Sequence, residues 1–199
     1  MSYFNLSLTW RLVLATVSGL AAVPAFWLAN VLAEHLPLPG QPIWSWGLPL
    51  PSLYWEYILI GSIFGALVMV PFITAVQGKL YKAAGLIISS ILIYAFAVEL
   101  VYEQYSPFYR AKFLVEFAVS GTLGALLVTL ATVVIAPIRA SRLLWFYSAA
   151  AGLIGGLVFF GALQAEGLWE LDISFLGYLS WQLLVFGAMY VGSQVRNDI

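Results

Sequence analysis

The sequence predicts an all-α, polytopic integral membrane protein: one bundle of six transmembrane helices with both termini in the cytoplasm. Three observations carry this. The chain of 199 residues is 63% hydrophobic and 9% charged, whereas soluble domains are about 45–50% apolar and about 25% charged. A soluble core of this size has no room for the excess, and the mean hydropathy of +0.97 agrees. Six apolar runs also reach the length of about 20 residues that crosses a bilayer as a helix. Lastly, lysine and arginine collect at one set of run ends.

The runs span 10–33, 54–76, 81–103, 113–136, 143–164 and 174–194, and leave no soluble module, so 1–199 reads as one domain. They are continuously apolar, unlike the alternating strands of about 10 residues in a membrane barrel. In the first run, Val23-Pro24-Ala25 has the look of a leader cleavage site, but apolar residues continue through Phe26, Trp27, Leu28 and Val31. An uncleaved span is expected there. Pro24 sits mid-run and is expected to kink it; Pro71, late in the second run, is expected to be tolerated.

Small residues mark faces where helices can approach closely. Run one has Ala21, Ala25 and Ala29; run two has Gly61 and Gly65; run four has Ser120, Gly121, Gly124 and Ala125. Run five has Ser148, Gly152 and Gly156, and run six has Ala188 and Gly192. GSIFG at 61–65 and GLIGG at 152–156 share a G-x-I-x-G pattern in the second run of each half, as an inverted three-plus-three repeat would show.

Orientation follows the cations. One set of ends holds Arg11, Lys79, Lys82, Arg139, Arg142 and Arg196; the other holds only Arg110 and Lys112. Both termini are therefore expected in the cytoplasm of a plasma membrane, here a bacterial inner membrane. The acids fall oppositely: Glu34, Glu56, Glu99, Glu103, Glu116, Glu166, Glu170 and Asp172 at the outer face, only Asp198 inside.

Between the first two runs lies LPLPGQPIWSWGLPLP, residues 36–51, with five prolines, two tryptophans and no charge. Proline fixes φ and cannot donate, so an extended, stiff loop is expected. Tryptophan prefers the headgroup level. Trp44 and Trp46 should anchor the loop on the outer surface or lay it over the bundle as a lid.

Glu56, Glu99 and Glu116 lie about a turn inside the outer boundary, where a bare carboxylate facing lipid is disfavoured. Glu99 and Glu103, four apart, share a helix face and repel unless a cation sits between them. Arg110 and Lys112 could close a local ion-pair cluster there; an acidic vestibule for a cation, a proton or an amine is the functional alternative. Asn30 and Gln182 are deeper polar groups expected to bond across helices. Ser89, Ser90, Thr129 and Thr132 are expected to bond back to their own helices.

Much chemistry is disfavoured. With no cysteine and one histidine, His35, the chain offers no thiolate metal site, iron–sulfur ligation, two-histidine haem ligation or H-E-x-x-H motif. No metal or cofactor is expected, and an enzyme is not. A net charge of −1 gives no basic field for nucleic acid.

Two functions remain. The first is a transporter, channel or substrate-binding permease subunit, with Glu56, Glu99, Glu103, Glu116, Asn30 and Gln182 as binding candidates and Trp44 and Trp46 as the lid. The second is a non-catalytic integral subunit that anchors, assembles or senses within a larger membrane complex. It would dock a cytoplasmic partner at Lys79, Lys82, Arg139 and Arg142, or a second copy of itself through small-residue faces. Lipid is the surrounding partner in both.

Overall fold

The computed structural model describes residues 7–36, 54–73, 78–102, 110–136, 138–169 and 174–194. Trp44, Trp46 and Glu103 lie outside them. The described residues form six helices and no strand: α1 (Leu8–His35), α2 (Trp55–Phe64, extended by a π turn and a 3-10 turn to Phe72), α3 (Lys79–Tyr102), α4 (Arg110–Ile135), α5 (Arg142–Trp169) and α6 (Ser174–Gln194). Five of them, α1 to α5, are long and apolar enough to cross a membrane. The sixth, α6, has 21 residues but carries Tyr178, Ser180, Gln182, Tyr190 and Ser193, which lower its hydropathy.

Each helix packs on its chain neighbours, and α1 and α6 meet to close a ring in the order α1-α2-α3-α4-α5-α6. In such a ring α3 and α6 face each other across the middle. The outward faces are apolar: Val134, Phe146, Trp27 and Trp10 are all more than 60% exposed. Apolar faces turned outward are the pattern expected where lipid is the solvent.

Glycines set the spacing. Gly121 on α4 lies against Gly152 and Gly156 on α5, with backbone so near that an added Cβ at any of the three would strike the facing main chain. Gly61 and Gly65 rest on Ile91 and Ile87 of α3 in the same manner. The two G-x-I-x-G stretches thus face different neighbours: the first turns to the following helix, the second to the preceding one. An inverted repeat would have matched them, so their likeness reflects close packing. The buried stripe of α1 runs through Ala15, Ser18, Gly19, Ala22, Ala25 and Ala29, a longer face than the alanines alone suggested.

Of the two prolines, Pro71 departs from expectation. α1 is one uninterrupted 28-residue helix, and Pro24 sits on its exposed side. α2 instead widens to a π turn over Gly65–Met69, tightens to 3-10 over Val70–Phe72 and becomes extended at Ile73. Pro71 lacks an N–H, and its ring crowds the carbonyl four residues earlier, so the helix cannot run through it unchanged.

Hydrogen bonds pin both ends of the bundle. Trp55 Nε1 donates to the Leu36 carbonyl at 2.7 Å, tying the start of α2 to the end of α1. At the opposite end Ser141 Oγ accepts the Leu144 N–H at 3.0 Å, capping α5, and donates to the Gly192 carbonyl of α6 at 3.1 Å. Thr129 and Thr132 donate to the carbonyls four residues back, as expected. Thr129 also meets Ser148 of α5 at 2.8 Å.

Candidate functional site

Consecutive helices alternate in direction, so the start of α2, the end of α3, the start of α4, the end of α5 and the start of α6 share one end of the ring. Glu56 stands in the first turn of α2, where the helix dipole favours a carboxylate. Its Oε1 lies 3.4 Å from the Tyr94 hydroxyl of α3 and 3.5 Å from the Tyr178 hydroxyl of α6. The two hydroxyls are 3.0 Å apart. Three oxygens share two phenolic protons, so each hydroxyl donates once within the triangle. The contacts to the carboxylate are at the long end for hydrogen bonds. Beside them Tyr57 donates to Glu99 Oε1 at 3.4 Å.

Aromatic rings join these groups into a strip across the ring of helices. Tyr54 meets Tyr57 edge-on at 5.2 Å, and Tyr57 meets Tyr94 at 5.8 Å. Tyr94 meets Tyr178 at 6.3 Å, Tyr178 meets Phe159 at 4.7 Å, and Phe159 stacks on Phe117 at 5.7 Å. The strip touches α2, α3, α6, α5 and α4 in turn.

Alongside it lies a cavity of about 110 Å³, walled by α2 to α6. Rings of Phe64, Tyr94, Phe117, Phe159, Tyr178 and Trp181 form much of its wall, with Ile60, Ile93, Val98 and Val128. Among the described residues no charged side chain lines it. Its polar side chains can be accounted for one by one. Tyr94 and Tyr178 are held at Glu56. Ser120 donates to the Ala97 carbonyl, and Trp181 Nε1 donates to the Gly121 carbonyl at 3.3 Å. That leaves Ser90 on α3 and Gln182 on α6, only 2% and 3% exposed. Ser90 Oγ and Gln182 Oε1 have no hydrogen-bond partner among the described residues.

The sequence-derived candidates therefore separate. Glu56 and Glu99 come together through their tyrosines, and Gln182 reaches the cavity wall. Glu116 is half-buried on α4, beside the wall residue Phe117. Asn30 does not join them: it is exposed on α1, one residue past the inward Ala29 and so about 100° round the helix. Gln182 also departs from expectation, since its Oε1 is buried without the cross-helix bond foreseen for it.

At the other end Lys79 and Lys82 are half-exposed at the start of α3, and Arg139 and Arg142 are exposed around the start of α5. Arg11 lies over the Phe72 ring, 5.4 Å from its centroid. Tyr57, Tyr94, Tyr178, Trp55 and Trp181 were missed in the sequence. Their one signal was a polar-tipped ring set inside an otherwise apolar run.

The fold defines a helical chain apolar enough to cross a membrane several times, with a small cavity inside the ring. Compared with protein-family models, characterised proteins and solved structures, the chain shows no significant match to any. Its chemistry rests on its own residues.

Proposed function

We propose that this protein is a small transporter or membrane-embedded substrate-binding subunit whose ligand occupies the cavity between α2 and α6, behind the Glu56–Tyr94–Tyr178 triangle. One observation carries the reading: two buried polar atoms, Ser90 Oγ and Gln182 Oε1, on the wall of an apolar cavity, without partners among the described residues. A buried unsatisfied polar group costs about 1–3 kcal/mol. A packing subunit gains nothing from two of them, whereas a binding site uses them to orient a ligand. The π turn at Gly65–Met69 directly follows the wall residue Phe64, and such turns recur at functional sites.

In this reading α6 is the sixth span, its polar side chains serving the interior. Both termini are cytoplasmic, and the carboxylate end faces outwards as the entrance. Glu56, Glu99 and Glu116 form its acidic rim.

The test uses the absence of native cysteine. Ala97 lines the cavity, and its neighbour Phe96 faces outwards, 38% exposed. A thiol reacts with N-ethylmaleimide as the thiolate, which water supports and lipid does not. A97C is expected to be alkylated at least tenfold faster than F96C in membranes. Equal inertness of both would mean that nothing enters the cavity, and the binding reading would fall.

A further inference from the structure

The cavity also constrains what it can hold, and this step rests on the reading of it as a ligand site. Size comes first. A cavity of about 150 Å³ in another protein holds benzene, so about 110 Å³ admits one small ring or its equivalent. Charge comes next. Burying an ion without a counter-charge is heavily disfavoured, and among the described residues no charged side chain lines the wall. Glu56 stands behind the tyrosine hydroxyls, already engaged by them. The interior therefore selects an uncharged molecule even though the rim is acidic.

The wall then sets shape and polarity. Phe64, Phe117, Phe159 and Trp181 offer ring faces and edges suited to a flat apolar body. Gln182 Oε1 is an acceptor and calls for a donor. Ser90 Oγ, on the helix across the ring, gives or takes a second hydrogen bond. We infer that the cavity binds an uncharged, single-ring compound carrying an N–H or O–H donor, which it gives to Gln182 Oε1. Water that fills this volume in the ligand-free protein is readily displaced, because the largely aromatic wall offers it few partners.

Three five-membered rings of nearly equal size separate the alternatives: pyrrole, with a donor; furan, with none; and pyrrolidinium, a cation. Binding would be measured by saturation-transfer NMR on the full chain in nanodiscs. Two variants control for partition into lipid. G124L fills the cavity from α4, where a Cβ meets only ordinary contacts at 3.4 Å and 3.5 Å. Q182L removes the acceptor while keeping the bulk.

Pyrrole is expected to bind about tenfold more tightly than furan, the worth of one buried hydrogen bond. The preference should vanish in Q182L, and G124L should lose both ligands. Furan equal to pyrrole would overturn the donor assignment. Pyrrolidinium binding best would overturn the uncharged class and favour a cation at the acidic rim. If no probe binds while A97C is alkylated, this ligand class is wrong and the binding reading stands. If A97C is inert as well, both fall.

Discussion

Gln182 shows how a single residue can trade stability for use. It sits 3% exposed on α6 with its carbonyl oxygen unpaired. Replacing such a group with an apolar one of like shape removes the penalty rather than a bond. Q182L is therefore expected to stabilise the ligand-free protein, by about 1 kcal/mol or more. A raised thermal midpoint in detergent, read beside the lost pyrrole preference, would identify a group kept for binding. A lowered midpoint would show that Gln182 has a structural partner after all. The sequence singled out Gln182 as a polar group in an apolar run, but it could not tell a bonded glutamine from an orphan. That depends on what α3, α4 and α5 place around it.

Among the elements, the α4–α5 pair depends most plainly on close approach. Gly121, Gly152 and Gly156 bring the two backbones into contact, and Phe117 presents its carbonyl where a Gly156 side chain would go. That neighbour is main chain and cannot swing aside. G156L is expected to force the helices apart and destabilise the bundle by several kcal/mol, in the range of about 1–3 for ordinary overpacking or beyond it. Denaturation of the purified variant would check this. Wild-type stability would show that α4 and α5 can slide to a second packing. The glycine spacing was legible in the sequence, because small residues four apart line one helix face. Which helix each face meets was not: Gly61 and Gly65 turn to α3, Gly152 and Gly156 to α4. The prolines teach the same lesson: the type of residue was plain, but its effect depended on local packing.

At the scale of the whole molecule, charge is divided between two ends. Lys79 and Lys82 stand in the first turn of α3, and Arg142 opens α5. Helix dipoles disfavour cations at those positions. The dipole therefore does not account for them, and the proposed orientation, with these ends in the cytoplasm, would. L36C and R139C, both at exposed positions, test the proposed orientation. In intact cells a membrane-impermeant thiol reagent is expected to label the first, and the second only after permeabilisation. The reverse pattern would invert the molecule and turn the acidic rim to the cytoplasm.

The sequence by itself determined the all-helical class, the apolar lengths of α1 to α5, the small-residue faces and the split of charge between the helix ends. These are one-dimensional properties: composition, run length and spacing along a chain whose period is fixed by the helix. Only the tertiary structure decided that α1 and α6 close a ring and that Tyr94 and Tyr178 meet at Glu56. It also decided that Asn30 points away and that Ser90 and Gln182 share a cavity. Those pairings join residues as far apart in the chain as Gly19 and Leu179. They arise from which helix faces turn inward together, and no local pattern in the chain encodes that.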